Sequence, residues 1–216
     1  MCLWTIQDIP IYEMLTANGV AFSSQRSFIG QDYPWTYDWM VQQMCQRIGQ
    51  PPRPEITTPM WAWFQYRSRK MRKPPKSPSL MNSERDAQVF LEIEIPDCDV
   101  LLSDFSGWHT VIYGQPLVRA RRLEKQIRAV NTDDDVPPQF SDYPLSLQQA
   151  VAKTWEGIFN IHMQDRWSMP HRLCNKSIQA TFWMLSMENV ISAELLERKA
   201  SGNVKSSWLI KPDKTR

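Results

Sequence analysis

The stretch VFLEIEIPDCDVLLSDFSGWH, residues 89–109, decides the fold class. Val89, Leu91, Ile93 and Ile95 alternate with Phe90, Glu92 and Glu94, the period of a strand that buries one face. Pro96 and Asp97 break the run. Val100, Leu101 and Leu102 form a second short apolar run, which leads into Ser103-Asp104-Phe105 and on to Trp108-His109. Ionisable groups placed just after a buried strand are well sited to present chemistry at a sheet edge. Asp104 reads either as the cap of the next turn or as a carboxylate that orients a base. His109 reads either as that base or as an ordinary surface or core histidine.

Upstream, residues 2–6 suit a first strand, with Asp8 as N-cap and Pro10 in the first turn of a short helix that Gly19 closes. Tyr37, Met40, Val41, Met44 and Ile48 form the apolar stripe of a helix that begins at Thr36 and stops at Gly49. MWAWFQY, residues 60–66, is strand-like, and the basic segment after it holds Pro74, Pro75 and Pro78, so it reads as an exposed loop.

Downstream, residues 110–113 are a brief apolar run. Residues 117–142 read as a charged helix followed by a mobile loop with Asp133, Asp134, Asp135, Pro137 and Pro138. Ser146-x-x-Gln149 resembles a capping box for a helix that buries Leu147, Val151, Trp155, Ile158 and Phe159. IQATFWML, residues 178–185, is strand-like, and Ser186 is expected to cap a short helix through Glu197. The sum is a single α+β domain over residues 1–200, with small mixed or antiparallel sheets and flanking helices. Residues 201–216 read as a flexible or partner-bound tail.

At 216 residues the chain suits one domain with a sizeable core, and its 10 tryptophans and 11 methionines can fill that core or line a flat ligand site. The formal net charge of +2 excludes a globally basic nucleic-acid protein, yet the basic residues are clustered. Arg67, Arg69, Lys70, Arg72, Lys73 and Lys76 occur with no acidic residue among them, and Arg119, Arg121, Arg122, Lys125 and Arg128 form a second group. Cys2, Cys45, Cys98 and Cys174 are widely spaced, which argues against both a disulfide scaffold and a zinc site. His162, His171 and Cys174 match no ligand spacing, so no metal is expected. Neither a signal peptide nor a membrane-spanning run is visible, so a cytoplasmic protein with no membrane partner is expected.

The basic segment beside Trp61, Trp63, Phe64 and Tyr66 combines phosphate attraction with base stacking, or is a solvated loop beside core aromatics. Glu92 and Glu94 project from one side of a strand, either as a carboxylate pair or as its wet face. No nucleophile elbow, dinucleotide fingerprint or P-loop is present, which disfavours hydrolases of that type, Rossmann dehydrogenases and P-loop NTPases.

LWTIQ, YDWMVQQMCQRIG, PMWAW, LLSDFSGWH and IQATFW together resemble the bacterial family described as domain of unknown function 3841, over nearly the whole chain. That pattern favours Trp4, Gln7, Trp39, Trp61, Trp63, Asp104, Trp108, His109, Gln179 and Trp183. LWTIQDIPIYEMLTANGV, TPMWAW and IQATFW are also similar to segments of the ADP-ribosyltransferase superfamily, in particular its nucleic-acid-modifying toxins. That resemblance implies an ADP-ribosyltransferase-like fold and NAD as substrate, held by Trp4, Thr5, Gln7 and Tyr12. It further implies a catalytic strand carrying Gln179 and Thr181, with Asp104 and His109 orienting groups at the site. Thr181 stands where those enzymes carry a glutamate, and Glu92, Glu94 or Glu188 would be the displaced carboxylate. Arg67, Arg69, Lys70, Arg72, Lys73, Trp61 and Trp63 would then hold the nucleic acid, RNA in preference to DNA. The implied role is a toxin or phage-defence effector, with an antitoxin protein as partner. The alternative is a non-enzymatic module that binds nucleic acid or protein.

Overall fold

The apolar run at the start of the chain and the alternating segment before Pro96 form β1 (Cys2–Asp8) and β4 (Ala87–Glu94), paired antiparallel from Cys2↔Glu94 to Asp8↔Gln88. The computed structural model describes residues 1–23, 33–82, 84–117, 121–130, 139–162 and 175–212. Around this central pair lie β3 (Met60–Gln65), β5 (Leu101–Asp104), β6 (Ile178–Phe182), β8 (Val190–Arg198) and β9 (Val204–Ile210). The seven strands follow the order β5-β6-β3-β1-β4-β8-β9, with every neighbour antiparallel. A two-stranded ladder, β2 (Val20–Ala21) with β7 (Leu185–Ser186), stands apart.

Helices α1 (Ile9–Asn18), α2 (Pro34–Arg47), α3 (Phe105–Ile112), α4 (Arg121–Val130) and α5 (Leu145–Trp155) complete an α+β architecture. Gly19, at φ 73°, ends α1 in the left-handed conformation that a side chain would resist, as expected.

Residues 110–112 continue α3, because Asp104 caps a helix at the point where β5 ends. Three expectations change. Helix α5 begins on Pro144, so Ser146 falls inside the first turn and the expected capping box does not form. Ser186 caps only the single turn Met187–Asn189, and Val190–Arg198 is a strand. Its segment AELLER contains good helix formers, but pairing to β4 from Ala87↔Glu197 through Glu92↔Ser192 overrides that preference. Residues 204–210 of the expected tail form edge strand β9, brought back by a turn at Gly202 (φ 80°) and paired from Ala193↔Ile210 to Arg198↔Val204. The acidic run at 133–135 lies outside the described residues.

Strand alternation gives the sheet two unlike faces. One packs Leu3, Met60, Leu91, Ile93, Ala180 and Phe182 against Leu15 of α1 and the small ladder. The other divides in two. Toward β5, Leu101 and Trp61 meet Tyr37, Met40 and Met44 of α2, Trp108 and Val111 of α3, and Val151 and Trp155 of α5. Toward β8, Trp4, Phe90 and Leu196 pack with Met81. Each fully buried large side chain, such as Phe90 or Leu91, contributes about 1.5–3 kcal/mol. Leu123, Ile127 and Val130 turn α4 inward and leave Arg122, Lys125 and Arg128 exposed, so these three members of the second basic group lie on a solvated helix face.

Gly114 ties the helical layer together, because its φ is +64° and an added Cβ would lie 2.5 Å from the Phe140 Cβ. Gly114→Ala is therefore expected to cost about 2–4 kcal/mol in urea denaturation, combining left-handed strain with overpacking. An unchanged midpoint would show that Phe140 moves aside freely.

Candidate functional site

Residues directly opposed in neighbouring strands share a face. The registers Ser103↔Gln179, Gln179↔Trp63, Trp63↔Trp4, Trp4↔Glu92 and Glu92↔Ser192 therefore make one row across six strands. Helices cover its left end and residues 66–82 its right. Trp63, at the centre, is half-buried. Its ring touches Tyr66 (centroids 5.2 Å) and Phe105 (4.8 Å), and Phe105 touches His109 (4.6 Å). Tyr66 and Phe105 are half-buried and His109 is exposed, so the four rings form a continuous aromatic strip.

A hairpin adjoins this strip. Tyr66 N donates to Arg72 O, Arg67 N to Met71 O and Met71 N to Ser68 O, which puts Arg69 and Lys70 at the tip. Arg67, Arg69 and Lys70 are exposed, and the Arg67 guanidinium lies 5.3 Å from the Tyr66 ring centre. The rest of the basic segment turns inward. Arg72 covers Phe64 at 4.6 Å and Trp4 at 5.6 Å. Lys73 donates to Glu92 at 2.7 Å and lies over Phe90, and Lys76 donates to the buried Glu194. Burial pushes the Glu92 carboxyl up, but the hydrogen bond and charge of Lys73 outweigh it and hold Glu92 below the ordinary range. Burial beside Glu92 pushes the Cys2 thiol up to about 11, so it is protonated at neutral pH.

The roof helix α3 is pinned at its start. Asp104 accepts from Gly107 N at 2.9 Å and from Lys176 Nζ at 2.7 Å, and Phe105 N donates to Ser177 O at 3.0 Å. Asp104 and Lys176 are 5% and 4% exposed, so this is a buried ion pair. With both its oxygens engaged there, Asp104 is the helix cap and does not orient His109; the two do not form the expected pair.

The NAD-binding set is divided by strand alternation. Thr5 donates to Trp61 O and Gln7 to Thr5 Oγ1, both at 2.7 Å, while Trp4 faces the opposite side of the sheet. Tyr12 packs on the Thr5 side with α1, where burial raises its phenol. Thr181 is fully buried and donates to Leu101 O. Trp61 packs between Tyr37 and Trp108. Gln179 stays beside Trp63, and its Nε2 is buried without a partner, as are Ser103 Oγ and Trp61 Nε1. Glu94 is exposed, and Glu188 lines a separate cavity of about 350 Å³ with Ile48, Phe182 and Trp183. Arg119, His171 and Cys174 lie outside the described residues.

Sequence reasoning missed Ser103, Phe105 and Lys176. Alternation along β5 puts Ser103 on the Leu101 side, a signal that was available, whereas Lys176 lies 72 residues from Asp104 with no local mark.

The chain belongs to the family described as Domain of unknown function (DUF3841), which matches residues 2–191. No curated protein and no solved structure matches it. Trp39 and Trp183 are core residues: Trp39 packs on Trp155 and Phe159, and Trp183 Nε1 donates to Gly49 O. Edge strand β9 and most of β8 lie beyond the matched residues.

Because the folded Glu92 carboxyl is depressed, its contribution is complete at neutral pH and is lost as pH falls through the folded value. Lys73→Met should flatten that part of the stability profile in acid titration, and an unaltered profile would show that the ion pair contributes nothing. Asp104→Asn removes the carboxylate to which Lys176 Nζ donates at 2.7 Å and weakens the cap on Gly107 N, and should cost about 3–5 kcal/mol in urea denaturation. Adding Lys176→Met should recover most of it. A single-variant cost near zero would mean that Lys176 reaches solvent.

Proposed function

We propose that the chain binds single-stranded nucleic acid, with bases stacking on Tyr66, Trp63, Phe105 and His109 and with Arg67, Arg69 and Lys70 holding phosphates. The observation that carries this reading is the strip of four touching rings beside cations that have no carboxylate partner among the described residues. Stacking is tolerant of sequence and contributes about 1–3 kcal/mol per base, while the cations add a salt-dependent term. Arg72 and Lys73, expected to touch nucleic acid, instead hold the strap to the sheet, and Trp61 supports the platform from within. RNA is the expected form of the strand.

One observation favours a second reading, NAD-dependent ADP-ribosyl transfer to the same strand by a toxin or phage-defence effector restrained by an antitoxin. Gln179, on the strand that the transferase resemblance makes catalytic, keeps an amide nitrogen without a protein partner. The internal bonds of Thr5, Gln7 and Thr181 weigh against it.

Fluorescence anisotropy on labelled mixed-sequence 12-mers of RNA and DNA tests the first reading. Trp63→Ala should weaken binding by about 10- to 100-fold, and Arg69→Ala with Lys70→Ala should reduce the salt slope by about 1–2. Labelled NAD added to the same mixtures tests the second: label on the strand, lost in Gln179→Ala, supports transfer. Binding without label leaves the binding module, and the absence of both rejects both.

A further inference from the structure

β9 (Val204–Ile210) is an outer strand of the seven-stranded sheet, and among the described residues β8 is its one neighbouring strand. In an antiparallel ladder hydrogen-bonded pairs alternate with unbonded ones, so one bonded pair fixes the rest. Lys199 N donates to Asn203 O at the turn between β8 and β9, and Arg198 N donates the other way, to Asp86 O. The bonded positions on this arm are therefore Asn203, Lys205 and Ser207, opposite Lys199, Glu197 and Leu195. Val204, Ser206 and Trp208 turn their N–H and C=O groups away from β8, to the outside of the sheet. Trp208 is 46% exposed, Ser206 is exposed and Val204 is half-buried. Val204 and Trp208 lie on the Phe90 side of the sheet, where Lys76 Nζ covers both the Phe90 and the Trp208 rings. At the opposite edge, β5 has only four residues and three of them are buried, so the two edges are unlike.

We propose that β9 pairs antiparallel with β9 of a second copy of this chain, about a twofold axis at Ser206, and joins the two sheets into one. The pairing stands apart from the nucleic-acid reading, which needs only one chain. An open strand edge is a template for another strand, and the pattern of β9 suits its own copy. Bonds form between outward-turned positions, and an axis at Ser206 is the one that uses all three of them. Ser206 then meets its own equivalent, and Val204 meets the partner's Trp208. Each tryptophan covers the other copy's valine, an aromatic–β-branched pair of the kind that stabilises sheets. Moving the axis by one residue, to Lys205, would set two ammonium groups directly opposite each other. With the axis at Ser206, Lys205 lies opposite the partner's Ser207, and Glu197 at 3.6 Å balances its charge. A register shift between Glu194 and Ala193 ends the regular stretch after Trp208, so the shared ladder is short and the dimer depends on concentration. Such pairing uses the same patch on both copies and consumes the open edge, so assembly stops at two.

Sedimentation velocity on the full chain tests this. The mass should rise toward that of two chains between about 1 and 100 µM, the range expected of a small interface. Ser206→Pro removes the central outward N–H but no bond to β8, at a position where an edge strand tolerates proline. It should weaken the dimer about 10- to 100-fold, because both copies lose a bond at the axis. Trp208→Glu, which sets a carboxylate against the partner's Val204, should weaken it by a similar factor. Near-ultraviolet circular dichroism establishes that each variant folds, and Trp208→Glu decides if Ser206→Pro does not. In a Cys98→Ser background, Ser206→Cys should form a reducible covalent dimer, because the axis brings the two positions within disulfide reach. Ser201→Cys, exposed in the turn and away from the axis, should not. A monomer at every concentration overturns the proposal, whether the edge stays bare or takes another partner. So does a dimer that folded Ser206→Pro and Trp208→Glu variants keep at full strength.

Discussion

The buried pair of Asp104 and Lys176 is the constraint that the candidate face depends on. A charge so far from water is stable only beside its counter-ion and with its remaining hydrogen-bonding capacity met. Asp104 meets that requirement by accepting from Lys176 and from the first turn of α3. The same contact joins the end of β5, the start of α3 and the approach to β6. The roof over Ser103 and Gln179, and the position of Phe105 against Trp63, follow from where that helix begins.

The basic segment after β3 divides its charges by direction. Arg72, Lys73 and Lys76 fold back over Trp4, Phe90 and Trp208 and neutralise Glu92 and Glu194. They close the β8 side of the face, their stems and charges shielding aromatic surface that would otherwise be exposed. Arg69 and Lys70 point into solvent because the turn from Ser68 to Met71 places them at a hairpin tip, and Arg67, on the arm before it, is exposed beside the Tyr66 ring. A run of like charges is therefore both an internal strap and an outward surface. The aromatic strip opens at the boundary between the two.

The strip gains its chemistry from incomplete burial. Trp61 and Trp108 are packed as core, whereas Trp63, two residues along from Trp61 on the same side, meets Phe105 at the very start of α3 and stays half-buried. The aromatic-rich segment MWAWFQ thus serves packing at one end and surface recognition at the other. Its neighbour Gln179 lies under that transition, where a polar amide is shielded from water but is not paired by the protein.

The sequence by itself determined the α+β class, the alternation of β1, β3 and β4, the Gly19 stop and the apolar stripe of α2. Each is a local effect, set by side-chain period or by the conformational freedom of one residue. It also brought Gln179, Trp63 and Asp104 forward as residues of interest. Only the tertiary structure decided what they do. Asp104 became a cap and counter-ion because Lys176 arrives from 72 residues away, and Lys76 reached Glu194 across 118. AELLER became a strand, and residues 204–210 its neighbour, because hydrogen bonding along an existing sheet edge outweighs a weak local preference for helix. Which residues share a face is local, but which of those faces meet, and which are left open, depends on contacts between distant parts of the chain.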